Sequence, residues 1–377
     1  AYLKANYPVA FFAASMSLDF ERVDKLAAFK QDAADRDISV LSPDINKSDV
    51  QFAIDGNSIF YALSAIRNVG TQAMHEIVTT RKESGAFEDV FDFARRAGGL
   101  GLNRKLLENL IAAGALDCLE PDRARLSAGV DMLLGEANIA QNDRKTQQEN
   151  LFGETEIAES AVLPSADPWS AMDRLAHEFD AIGFYLSGHP LDDYQNAMKR
   201  ARIVAFSDLE KRVENELMIA GVVTRIDERR SQRGTPFAFI SLSDVSGQAE
   251  VTVFSEALSE AREFLDVGVL TVATVKVGRE DGQIRMIANS LRPLDQVIGN
   301  AFEGLRIFVE KPEACAGLKK RLSEARQDAH KTGGTVSLVM MSQAREVELR
   351  LAENFIITPR VTGAIKALPG VLHVEEL

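Results

Sequence analysis

Two carboxylate pairs, Asp35-Arg36-Asp37 and Asp192-Asp193, come nearest in type and spacing to catalytic residues. Paired carboxylates hold the two metal ions of phosphoryl transfer, but only where a rigid surface keeps both close to the ions. Asp35 and Asp37 fall at the exit of a predicted helix and Asp192-Asp193 in a predicted loop, so both pairs read as solvated surface. His189, before Pro190, has no triad partner nearby and reads as a loop histidine that satisfies backbone groups. Cys118 and Cys315 stand far apart without a neighbouring Cys or paired His. A structural zinc site takes about four such ligands, so no metal site is expected, and both cysteines read as small buried hydrophobes. Without a disulfide framework the chain fits a reducing cytoplasm. P-loop, nucleophile-elbow and His-Glu zinc motifs are absent from the sequence. These residues predict binding rather than catalysis, with no catalytic residue, metal or cofactor.

The sharpest binding signal runs from Leu63 through Ile66, Arg67, Asn68, Val69, Gly70, Thr71 and Gln72 to Val78. Apolar residues at 63, 66 and 69, then a glycine and an amphipathic run, form the helix-hairpin-helix pattern. Its tight turn must admit positive φ, which Gly70 permits and Asn68 tolerates. The second helix then points unpaired N–H groups at a phosphate, a contact that reads no base sequence. Arg67, Asn68, Val69, Gly70, Thr71 and Gln72 are therefore the candidates for duplex DNA. A plain helical hairpin packed on a neighbour has the same pattern, and that alternative stays open.

A second cluster, Arg225, Arg229, Arg230 and Arg233, lies beside Phe237, Phe239 and Phe254. Arginines pair with phosphates and rings stack on bases, which suits single strands. Alternation along a strand puts Phe237 and Phe239 on one face, which is either a stacking surface or the core.

The elements that must position these groups follow from length and period. A chain of 377 residues with 46% hydrophobic and 26% charged residues fits a soluble protein of two to four domains. No stretch approaches the roughly 18 apolar residues of a membrane span. The net charge of −13 leaves room only for local basic sites. Residues 1–17 form an amphipathic element containing Pro8, without an initiator Met, and read as a cut inside a longer chain. Residues 1–58 continue with a helix at 20–36, a strand at 38–41 and a turn at Asp55-Gly56, and residues 59–147 read as all helix. A polar linker follows at 148–168 and a helical connector at 169–215. Residues 216–297 switch to short strands at 217–224, 238–242, 250–254, 270–277 and 284–288, with a helix at 255–265, the pattern of an OB-fold barrel. Residues 298–377 read strand, helix, strand, strand, helix, strand. The fold class is multidomain: an all-α helix-hairpin-helix region, an all-β OB-fold barrel and a small α+β C-terminal domain.

Five blocks then carry a resemblance that spans the chain. They are Ala1-Tyr2-Leu3-Lys4, Ser42-Pro43-Asp44-Ile45-Asn46-Lys47-Ser48, the hairpin, Leu102-Asn103-Arg104-Lys105 onward to Asp117, and Gly183-Phe184-Tyr185-Leu186-Ser187-Gly188-His189-Pro190-Leu191. In this order they resemble the alpha subunits of bacterial DNA polymerase III, the C-family replicative polymerases. The resemblance implies a distal-fingers remnant at 1–58, with Pro43 to Ser48 helping to position template or nucleotide. It further implies a clamp-binding peptide in the linker, where Gln148, Leu151 and Phe152 meet the beta sliding clamp. A C-terminal domain that contacts the clamp loader's tau subunit is implied as well. The parent enzyme would join deoxynucleotides with magnesium through a palm upstream of Ala1. Two rivals share the barrel and hairpin. A ligase C-terminal half is disfavoured by the isolated cysteines, and a stand-alone repair or tRNA-binding module by the clamp-like peptide.

Overall fold

Apolar residues at helical spacing build the first half of the chain, and strict alternation builds the second. The computed structural model describes residues 2–147, 162–212, 214–231, 234–280, 283–298, 304–310, 314–324, 333–342, 345–366 and 368–377. It divides into two units, Ala1–Trp169 with Asp173–Gly188, and Ser170–Met172 with His189–Leu377.

The first unit opens with helices Tyr2–Asn6, Pro8–Leu18 and Val23–Ala34. Pro8 occupies the start of its helix, where its missing N–H costs nothing. Three short strands follow, β1 (Ser39–Leu41), β2 (Ala53–Asp55) and β3 (Ser58–Phe60), ordered β1-β3-β2. The expected boundary between residues 58 and 59 therefore falls inside β3. Phe12 and Leu26 from one side of it share a core with Ile59, Met74 and Leu107 from the other. One 3-10 turn at Leu63–Ala65 leads to helices Thr71–Ser84, Val90–Ala97, Arg104–Ala113, Arg123–Ala128, Val130–Gln147 and Ala171–Ile182. Residues 148–161, including Gln148, Leu151 and Phe152, lie outside the described residues. Leu163, expected in a free linker, is buried in the same core.

Two arginines set the pose of helix Thr71–Ser84. Arg96 donates to the carbonyls of Thr80, Gly85 and Ala86 at 2.8–3.2 Å, pairs with Asp92 and lies over the Phe87 ring. Arg81, buried on the helix itself, donates to the carbonyls of Ile45 and Ser48 at 2.6 and 2.7 Å and so fixes the Pro43–Ser48 loop. Burial is the main cause that lowers its pKa, with the carboxylates of Asp49 and Asp44 opposing it.

In the second unit, β4 (Glu216–Arg230), β5 (Pro236–Asp244), β6 (Gly247–Phe254), β7 (Leu270–Glu280) and β8 (Gln283–Pro293) close as β4-β5-β6-β8-β7. β6 and β8 pair in parallel and the other neighbours antiparallel. Ile219, Val223, Ala238, Ile240, Val251, Val253, Ala273 and Val275 fill the interior together with Leu258 of helix Ser255–Ala261. The strands run beyond their expected lengths, and β4 continues to Arg230, where it pairs with Pro236 of β5. The C-terminal α+β region carries β9 (Gly304–Val309), β10 (Gly334–Ser342), β11 (Arg345–Phe355) and β12 (Val371–Glu376) in the order β11-β10-β9-β12, with helices Ala314–Glu324 and Pro359–Lys366. No helix among the described residues is long and apolar enough to cross a membrane.

Gly98 tests the packing of the hairpin region. A Cβ there would sit 2.3 Å from the carbonyl oxygen of Ala137 on helix Val130–Gln147, so the two backbones touch. Gly98→Ala is expected to destabilise the first unit by about 1–3 kcal/mol in urea unfolding. A change within noise would mean that the approach is not close.

Candidate nucleic-acid interfaces

Positive φ at the hairpin falls on Asn68, at 59°. Gly70 instead has φ −72° and ψ 132°, an extended conformation open to any residue. The expectation that Gly70 supplies the left-handed turn is therefore corrected: Asn68 does so alone, its short amide making that region accessible. The approach to Gly70 is open, since no described atom lies within 4 Å of the position its Cβ would take. Gly70, Thr71 and Gln72 are exposed, while Val69 is buried and pins the turn. The first helical bond runs from Met74 N–H to the Gly70 carbonyl, which leaves the amides of residues 71–73 without intrahelical partners. No side chain caps them. The next three helices are each capped, by Asp89, Asn103 and Asp122. The element before the turn is a single 3-10 turn rather than a first helix.

Arg67 is exposed, yet its backbone N–H and its guanidinium donate to the carbonyls of Ala181 and Asp180, at 2.8 and 3.1 Å. It ties the turn to the end of helix Ala171–Ile182. Gln72 donates to Glu76 at 2.9 Å.

A second turn lies beside the first. Gly99 and Gly101 have φ 84° and 82°, both are exposed, and Leu100 between them packs on the core. A Cβ on Gly101 would lie 3.3 Å from that of Ala73, so the two turns share one edge. Helix Val90–Ala97 precedes this turn and helix Arg104–Ala113 follows it, with Lys105 exposed in its first turn. The glycine-apolar-glycine spacing of residues 99–101 is the sequence signal of this second turn.

On the barrel, registers β4–β5 and β5–β6 arrange the outward side chains in rows across three strands. Arg229, Phe237 and Phe254 form one row, Asp227, Phe239 and Thr252 the next, and Arg225, Ser241 and Glu250 the third. Phe237 and Phe239 are half-buried and Phe254 is 51% exposed, and none belongs to the barrel core. The question of stacking surface or core is answered in favour of the outer face, where Phe237 lies 5.5 Å from Phe239 and 6.4 Å from Phe254 between ring centres. The arginines are not a bare basic patch. Arg229 pairs with Asp227 at 2.7 Å while covering the Phe239 ring, and Arg225 approaches Glu250 at 3.7 Å. The hydrogen bond from Arg229 holds the Asp227 carboxyl below the usual carboxylate range. Arg230 is exposed, and Arg233 lies outside the described residues.

His189 is buried, with Nδ1 accepting the Leu191 N–H at 3.1 Å and Nε2 within 3.2 Å of the Ser243 hydroxyl. That geometry calls for the tautomer protonated on Nε2, a structural role. Cys118 is exposed and Cys315 only partly buried, which corrects the expectation of two buried thiols. Partial burial, then a hydrogen bond with Asp44, pushes the Cys118 thiol up to about 11. Among the described residues no group of three or more His, Cys, Asp or Glu side chains converges to hold a metal ion.

A family model described as a helix-hairpin-helix motif matches residues 37–126, and one described as an OB-fold nucleic acid binding domain matches residues 217–294. The DNA polymerase III subunit alpha of Caulobacter vibrioides is 39% identical over 381 residues, covering 100% of this chain and 33% of that protein. The subunit of Neisseria meningitidis serogroup B is 32% identical over 391 residues, with the same coverage. That of Bacillus subtilis is 29% identical, covering 99% of this chain and 33% of its own length. The chain thus spans 33%, a third, of the length of these curated relatives. Among solved structures, the mitochondrial single-stranded DNA binding protein Rim1 of S. cerevisiae aligns with 21% of this chain and 93% of its own, at 17% identity and a TM-score of 0.20, too low to bear on function.

The barrel rows make a stability prediction. Phe254→Ala removes a ring already in water and should cost less than about 1 kcal/mol in thermal unfolding. Ile240→Ala empties the interior and should cost roughly 2–5 kcal/mol. Equal losses would put the ring in the core.

Proposed function

The chain belongs to the DNA polymerase III alpha-subunit family, matching a third of its relatives' length, and we propose that it serves as the C-terminal DNA- and partner-binding portion of such a subunit. The observation that carries this reading is the trio Phe237, Phe239 and Phe254, placed outside a barrel that is filled without them. Rings kept in water on the β5–β6 face suit unpaired bases, each stack being worth about 1–3 kcal/mol. With Arg225, Arg229, Arg230 and Arg233, they form the single-strand site.

Duplex DNA is assigned to the shared edge of the two turns. The uncapped amides of Thr71 and Gln72, the open approach at Gly70 and the neighbouring Gly99–Gly101 turn offer backbone donors to phosphates on one duplex. Asn68 and Val69 shape the turn, and Arg67 positions it. The proposal extends to Gln148, Leu151 and Phe152 as the peptide that holds the sliding clamp, Leu151 and Phe152 each contributing on the order of 1.5–3 kcal/mol when buried. It also extends to the α+β region as the contact for the tau subunit. Template-directed synthesis with magnesium, in the cytoplasm, belongs to the whole subunit. The described residues bring together no carboxylate group that fits the metal, so no step is derived through it.

Three variants of the full chain test the assignment. Gly70→Ala should keep its melting temperature, weaken duplex binding and lower the salt slope by about 0.9 per lost phosphate contact, leaving oligo(dT) binding intact. Phe237→Ala with Phe254→Ala should do the reverse. Leu151→Ala with Phe152→Ala should remove most clamp affinity and spare both DNA ligands. If the first two variants weakened duplex and single strand equally, one shared surface would replace two sites. Undiminished clamp binding in the third would discard the peptide.

A further inference from the structure

The barrel face combines features that pull in opposite directions. Its rings invite bases, and its arginines would attract any polyanion, yet carboxylates neutralise most of that attraction. Asp227 holds Arg229 at 2.7 Å, and Glu250 faces Arg225 at 3.7 Å. Asp227 and Glu250 stand in the same outward rows as the arginines and rings, so the pairing is built into the sheet register. Arg225, Arg229 and Arg230 are all exposed, and Arg230 lies at the end of β4, beyond the rows that carry the acids. All four paired groups are more than a third exposed, so each pair is weak and can exchange for a phosphate.

We propose that Asp227 and Glu250 are specificity determinants of the single-strand site: they restrain its arginines so that the face selects unpaired bases rather than phosphate density. The proposal rests on the single-strand reading of the barrel and deepens it. A strand enters by stacking on Phe254 and Phe237, which no ion-paired side chain covers among the described residues. Arg229 lies across Phe239, and a third base reaches that ring only when Arg229 leaves Asp227 for the strand's backbone. Phosphate without a base offers Arg229 no net gain, because it exchanges one anion for another. The acidic groups also repel the closely spaced phosphates of a duplex, while a stretched single strand, with fewer charges per unit length, meets less repulsion. The depressed ionisation range of Asp227 keeps this restraint charged at neutral pH.

The experiment compares oligo(dT) with an abasic oligomer of equal length, each titrated into the full chain by fluorescence anisotropy across a salt series. Four proteins are used: wild type, Phe237→Ala/Phe254→Ala, Asp227→Asn alone, and Asp227→Asn/Glu250→Gln. The barrel's share is the difference between wild type and the phenylalanine variant. For wild type that share should be large for oligo(dT), at least tenfold smaller for the abasic strand, and of shallow salt slope. Neutralising the acids should raise abasic binding by roughly two- to fivefold per freed arginine and steepen the slope by about 0.7 for each, with Asp227→Asn alone giving one such step. All substituted groups are on the surface, and a melting curve verifies each fold. If the abasic strand binds wild type as tightly as oligo(dT), or neutralisation leaves slope and abasic affinity unchanged, the carboxylates do not set specificity. If the phenylalanine variant binds oligo(dT) as wild type does, the single-strand reading itself fails, and this inference with it.

Discussion

Every residue of β5 must face either the barrel interior or its outside, and a five-stranded interior is narrow. Ala238, Ile240 and Leu242 take the inward positions, so Phe237, Phe239 and Ser241 are driven outward. Once β5 is set, hydrogen-bonded register dictates which side chains stand beside each ring: Arg229 and Phe254 next to Phe237, Asp227 and Thr252 next to Phe239. A one-residue slip would bury the phenylalanines and expose Ile240, so the ligand face and the core are two readings of one register. The ion pairs on the face, and the selectivity they confer, follow from that same constraint.

The hairpin region solves a different problem, that of leaving backbone donors unsatisfied at a chosen place. Asp89, Asn103 and Asp122 cap three helices with their own side chains, whereas the amides at 71–73 are left uncapped behind Gly70. Such an end is held in place only if the rest of its helix is well fixed. Arg96 gathers the carbonyls around its C-terminal end, and Arg81 locks it to the Ile45 and Ser48 carbonyls. The two Arg81 bonds are buried, and hydrogen bonds from a charged donor are among the stronger ones in proteins, worth roughly 1.5–3 kcal/mol. Such anchoring keeps the open end from collapsing onto a neighbouring acceptor.

Period and turn chemistry made the architecture legible. The C-terminal order of strands and helices, the barrel strands and the helical character of the residues between β3 and 147 all followed from spacing. β3 follows directly on the Asp55-Gly56 turn, and the division at residue 58 falls inside it. The hairpin showed a harder limit. Glycine is needed for positive φ or for close approach, and sequence does not say which; Asn68 takes the left-handed turn, while Gly70 is extended in open space. The barrel face was ambiguous for a similar reason, since both faces of Phe237-Ala238-Phe239-Ile240 are apolar and only the interior volume chooses between them. Cross-strand pairing of Arg225 with Glu250 joins residues 25 positions apart, which no local pattern reveals.

The central claim is that unpaired bases rest on the outer barrel rows. Photocrosslinking an oligonucleotide that carries 5-iododeoxyuridine to the full chain, followed by peptide mapping, reads base contacts directly. Crosslinks should concentrate on Phe237 and Phe254, with a weaker one at Phe239, and should vanish when Phe237 and Phe254 are replaced by alanine. Crosslinks confined to the 66–72 and 98–105 turns, with the barrel peptides unmodified, would contradict the account.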